Sequence, residues 1–218
     1  MFAYQMKVLI ENFPYLLEGA LVTLKITAVS VLIGLIIGTF AGMGRLSKKR
    51  WINYPTSVYV EFIRGTPLLV QIFIIYFGLP SIGINLQAYP AAIAALGINS
   101  GAYVAEIVRA GIQSVPKGQY EAARSLGMTH AQAMRYVILP QAFRNILPAL
   151  GNEFIALLKD SSLVSVIGLE ELIKKGQIVI STTFASFSVY GGVALIYFVM
   201  TFALSRIVRY VEKRMAIS

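Results

Sequence analysis

Residues 21–43 read LVTLKITAVSVLIGLIIGTFAGM, with Lys25 as their one charge. At 1.5 Å per helical residue this run covers the hydrocarbon core of a bilayer, about 30 Å thick. Four more stretches have similar length and character: 58–79, which holds Glu61, Arg64 and Pro67, then 88–108, 146–169 and 189–208. The composition agrees. Hydrophobic residues make up 57% of the 218 and charged residues 13%, about half the charged share of soluble domains. Mean hydropathy is +0.71. The expected fold is an all-α membrane protein of five transmembrane helices, forming one domain over residues 1–218.

Thirteen of the 19 Lys and Arg residues fall between spans one and two, between spans three and four, and after span five. Three fall on the opposite side (Lys7, Lys174, Lys175), and Lys25, Arg64 and Lys159 lie within spans. Positive charge marks the cytoplasmic side, so the N-terminus is expected outside and the C-terminus inside. Topology thus accounts for the net charge of +9, and nucleic acid is not an expected partner. The tail Arg206–Arg214 reads as a lipid-headgroup anchor. Residues 1–18 do not read as a signal peptide, because Lys7, Glu11 and Glu18 interrupt them. There is no cysteine and one histidine, His130. Thiolate and histidine metal centres are therefore not expected, and no catalytic triad or activated nucleophile is in view. The chain is not expected to be an enzyme.

Residues 114–148, SVPKGQYEAARSLGMTHAQAMRYVILPQAFRNILP, are too polar to span and too long for a turn. Residues 119–126 favour helix, Gly127 stops it, and Thr129 reads as the N-cap of a second helix over 131–139, broken by Pro140. The product is either a rigid knob for a soluble partner or an amphipathic segment lying on lipid. Gly34, Gly38 and Gly42, with Gly97 and Gly101, recur at four-residue spacing, which lets helices approach closely. They suit packing within one bundle better than a dimer face.

Ionisable groups at membrane depth cost about 2.5–3.5 kcal/mol each on insertion scales and mark functional candidates. Glu153 and Asp160 are seven residues apart, nearly two turns, and project from one helix face. They would attract a cationic group, and a guanidinium fits carboxylates best. Alternatively Asp160 pairs with Arg64 or with a partner chain's Lys159 and only shapes the bundle. Arg64 is a candidate for a substrate carboxylate or for an i,i+3 pair with Glu61. Asn99, Ser100 and Tyr103 could bond substrate or bond neighbouring helices.

Several blocks together resemble the permease subunits of ABC importers, in the histidine/arginine/glutamine branch. Glu121-Ala122-Ala123, Gly127 four residues on, and Leu139-Pro140 resemble the EAA loop of that family, with Val137 at its isoleucine position. Residues 61–71 (EFIRGTPLLVQ), 99–109 (NSGAYVAEIVR), 151–162 (GNEFIALLKDSS) and 164–168 (VSVIG) resemble further blocks in the same order. The resemblance implies a second permease chain, most simply an identical one, two cytoplasmic ATP-binding subunits and an external solute-binding protein. It makes Glu121, Ala122, Ala123, Arg124, Gly127, Leu139 and Pro140 the coupling segment, within a loop over 111–145. ATP and Mg would sit on the partner ATPase, with no cofactor in this chain. The lack of a Gly-Lys dipeptide, and so of a P-loop, agrees. Its setting is a prokaryotic inner membrane. The expected activity is ATP-driven import by alternating access of a polar, expectedly basic, amino acid (arginine, lysine or histidine). Glutamine or another polar amino acid is the alternative, with an ATP-independent channel or a proton-coupled carrier behind it.

Overall fold

The computed structural model describes residues 2–216, and every regular element among them is helical. Helix α1 (Phe2–Arg45) is 44 residues long, or about 66 Å, twice what a bilayer core requires. The expected first span is its second half. Polar side chains that set residues 2–20 apart are accommodated at the surface: Lys7 pairs with Glu11 at 3.8 Å, and Glu18 accepts from Lys175 at 2.7 Å.

Helix α2 (Arg50–Gly65) and α3 (Leu68–Phe73) meet at a corner of 107°. The second stretch is therefore a broken helix, interrupted at Pro67. Thr66 is extended, with φ −117° and ψ 145°, as the residue before a proline prefers. The chain continues through a π-turn (Ile74–Gly78) and a 3₁₀ turn (Leu79–Ile82) into α4 (Ala88–Gln113). Then follow α5 (Lys117–Ser125), α6 (His130–Ala133), a second π-turn (Met134–Ile138) and α7 (Leu139–Asp160). A 3₁₀ segment (Ser161–Ile167), α8 (Leu172–Thr183) and α9 (Ser186–Ala216) complete the order. Helices α1, α4 and α9 are each long and apolar enough to cross a membrane, and the bent α2–α3 pair would make a fourth such crossing. Helix α7 carries too many polar groups to meet the same measure.

Pro140 does not break the second helix of the 114–148 segment. The wider π-turn ends two residues before it, and α7 proceeds through the proline. Pro80 likewise follows its π-turn by two residues. A proline lacks the N–H and crowds the carbonyl one turn back, and a locally widened turn relieves both.

The bundle's most extensive packing is α1 against α4. A Cβ on Gly38 would lie 2.5 Å from Val104 Cβ and 2.7 Å from the Gly101 carbonyl oxygen. The glycine series thus serves packing within the chain. Around it, Ile26, Ile72, Leu96, Leu157, Val164 and Ile167 form the main buried cluster, joining α1, α3, α4, α7 and the 3₁₀ segment. In lipid such contacts stabilise through shape and dispersion, because the surrounding tails are equally apolar.

Candidate functional site

Helix α4 packs against both α2 and α7 and brings polar groups of the three helices near one another. Ser100 on α4 is fully buried, and its Oγ makes no hydrogen bond of regular geometry among the described residues. It faces the Glu153 carboxyl closely enough to interact with it. Asp160, the last residue of α7, and Arg64, near the end of α2, are both within electrostatic reach of Glu153. The two acids therefore act on a common region, with Arg64 opposing them. Lys159 influences Asp160 electrostatically but makes no ion pair with it among the described residues.

Arg64 does not pair with Glu61. Its guanidinium lies over the Tyr103 ring, 5.4 Å from the centroid, and 3.8 Å from Glu106. Glu106 is the focus of a charge cluster. Arg45 donates to it at 2.6 Å, and Arg109 grips it from one turn along α4. Arg45 also reaches Glu61 at 3.6 Å. Three guanidiniums around one carboxylate leave donor capacity unspent, so Arg64 can exchange partners at little cost.

Asn99 is bonded to a neighbouring helix. Its Nδ2 donates to Oε1 of Gln71 at 3.0 Å. Gln71 itself was not singled out by sequence reasoning. A lone amide inside the apolar run LLVQIF, four residues after Pro67, was the signal that could have found it.

The 114–148 segment forms the corner that its sequence suggested. Gly127 adopts φ +83°, a left-handed conformation that glycine alone enters freely. It lets the Met128 N–H return to the Ala123 carbonyl at 3.1 Å, closing α5 with a Schellman-type cap. Thr129 and Gln132 form a reciprocal capping box. Tyr120 Oη and His130 Nδ1, 3.0 Å apart, fasten α5 to α6. Ala123 is buried against the corner, whereas Glu121, Ala122 and Arg124 are exposed and Leu126 is 82% exposed. Arg124 holds the Met128 carbonyl at 2.6 Å. Leu139 and Pro140 are exposed at the start of α7.

A second buried acid also escaped the sequence reading. Glu171 is fully buried at the N-terminus of α8. It accepts the Lys174 N–H at 2.8 Å, Tyr197 Oη at 3.1 Å and Thr23 Oγ1 at 3.4 Å. Its adjacency to Glu170 in a polar connection gave no indication of which acid turns inward. These bonds tie α1, α8 and α9 together and supply the partners that a buried carboxylate requires.

Residues 11–217 match the family described as binding-protein-dependent transport system inner membrane component. The glutamine transport system permease protein GlnP of Escherichia coli (strain K12) is 43% identical over 206 residues, covering 94% of each chain. The arginine transport system permease protein ArtQ of Bacillus subtilis (strain 168) is 41% identical over 207 residues, again covering 94% of each. Among solved structures, one described as an amino acid ABC transporter with histidines superposes with a TM-score of 0.91. It is 52% identical, covering 94% of this chain and 96% of that one. The resemblance first seen in the EAA-like segment therefore holds over nearly the whole length: this chain belongs to the binding-protein-dependent inner-membrane transport components, as a permease subunit of an amino-acid ABC importer whose ATP hydrolysis is carried by a separate subunit.

Proposed function

We propose that the chain carries a basic L-amino acid, arginine foremost, with lysine and histidine as relatives. The observation that carries the reading is Glu153, a half-buried carboxylate on α7 within reach of Asp160 and the buried Ser100 hydroxyl. Two acids acting on one polar region suit a guanidinium or ammonium side chain, and Arg64 opposite suits the α-carboxylate. Glutamine is the second reading, favoured by the 43% identity to a glutamine permease.

The working unit in this proposal is a homodimer whose chains cross the membrane five times, N-terminus outside and C-terminus inside. Helix α5 docks on the ATPase through Glu121, Ala122 and the projecting Leu126, held by the Gly127–Thr129 corner. Closure of the ATPase pair then reaches α7 through the continuous π-turn and Pro140. Delivery of substrate by a solute-binding protein completes the cycle.

Uptake of labelled arginine, lysine, histidine and glutamine into proteoliposomes holding permease, ATPase and binding protein tests this. A charge-assisted hydrogen bond is worth about 1.5–3 kcal/mol, so Glu153→Gln should weaken arginine uptake by about 10- to 150-fold. Glutamine uptake should change little. An arginine preference untouched by Glu153→Gln would refute the acidic-site reading.

A further inference from the structure

The corner between α2 and α3 poses a hydrogen-bonding problem. Pro67 has no N–H, so the Ile63 carbonyl, four residues earlier, loses its helical donor. No water reliably replaces it at depth in a bilayer, where irregular backbone survives only if the protein satisfies it. Gln71 does so. Its Nε2 lies 2.8 Å from the Ile63 carbonyl oxygen, 2.9 Å from Thr66 Oγ1 and 3.1 Å from the Thr66 carbonyl oxygen. The other end of the same amide accepts from Asn99 on α4 at 3.0 Å. Both side chains are buried, each in a residue only 6% exposed.

We infer that Gln71 is a positioning residue of the transport site, setting where Arg64 stands relative to Ser100 and Glu153. The connection is short at both ends. Arg64 lies two residues before the extended Thr66, so the direction in which α2 leaves the corner determines where its guanidinium falls. Asn99 is bonded in sequence to Ser100, which faces Glu153. One amide therefore fixes the strand of chain bearing Arg64 against the helix bearing Ser100. Only a side chain with a donor and an acceptor on one planar group can do both. Glutamate in its place keeps the length and the acceptor but turns an oxygen toward the Ile63 carbonyl. This inference rests on the transport reading above, and its test separates the two.

The chain has no cysteine, so labels can be placed uniquely. Phe62→Cys and Phe77→Cys, both 60% exposed, report on the two arms of the corner. The complete importer in proteoliposomes is compared with its Gln71→Glu and Gln71→Leu forms, by the distance between paired spin labels and by arginine and glutamine uptake. Both variants should assemble in normal amounts and broaden the label distances. The half-saturating substrate concentration should rise on the order of tenfold, as expected for losing well-placed polar contacts, with maximal rate within about twofold. Adding Asn99→Leu to Gln71→Glu should raise it little further, because the two residues share one bond. Unchanged label distances or unchanged half-saturation in both variants would overturn the inference. If the unmodified importer moved neither amino acid with ATP, the substrate reading alone would fall. The label distances would then decide whether Gln71 holds the corner.

Discussion

Replacing Gly38 by alanine sets two effects of opposite sign against each other. Alanine is favoured over glycine in a helix interior by about 1 kcal/mol, so propensity alone predicts stabilisation. The new methyl, however, would stand 2.5 Å from both Cβ and Cγ1 of Val104 and 2.7 Å from the Gly101 carbonyl oxygen. Carbon atoms pack at about 3.5–4.0 Å, so α1 and α4 must separate locally by about 1 Å or more. Val104 is β-branched and cannot swing clear, and the carbonyl belongs to the backbone. Overpacking of this kind costs about 1–3 kcal/mol, and the reach into backbone favours the upper end, so the clash exceeds the propensity gain. Gly191, in α9, is the control, because a Cβ there meets nothing within 4 Å. Thermal unfolding of the detergent-solubilised complex should show Gly38→Ala falling by several degrees, since 1 kcal/mol is about 2–4 °C at this chain length. Gly191→Ala should hold or rise. Equal melting temperatures for the two variants would refute the assignment of the glycine series to close packing within the chain.

Glu171→Ala should destabilise the complex by about 2–4 kcal/mol in the same assay, because it strands the Tyr197 hydroxyl and the Lys174 N–H, whereas Thr23 keeps the Gly19 carbonyl. Tyr197→Phe removes a single bond and should cost about 1 kcal/mol. Gly127→Val places a β-branched residue at φ +83°. It should strain the corner by about 1–2 kcal/mol and reduce transport-coupled ATP hydrolysis while the permease still inserts. Glu121→Lys should abolish co-purification with the ATPase and leave membrane insertion intact.

Local chemistry was legible in the sequence wherever it depends on neighbours in the chain. Gly127 and Thr129 announce the corner of the 114–148 segment because a left-handed stop and an N-cap are properties of single residues. The approach of α1 to α4 follows from four-residue glycine spacing. Quantities set by distant partners were not legible. Helix α1 extends back to Phe2, and Glu18 within it finds Lys175 across the fold, a partner that no window around Glu18 contains. Pro67 signals a break, but its angle of 107° depends on Gln71 and Asn99 holding the two arms. Arg64 lies one turn from Glu61 and still chooses Glu106, because α2 crosses α4 where Arg45 already occupies Glu61. Glu171 and Glu170 are indistinguishable until Thr23 and Tyr197 arrive beside one of them.

The widened turn at Met134–Ile138 has a bearing on how length changes are tolerated here. A π-turn holds one residue more than the α-helical path it replaces. Removing a single residue inside it would restore an unbroken α-helix and leave Glu153 and Asp160 pointing as they do now. The same deletion a few positions later, inside α7, would rotate everything beyond it by about 100° and carry both acids off their face. Single-residue gaps between related chains are therefore expected to gather in this turn, where the helical phase absorbs them, and to be missing from the turns that follow.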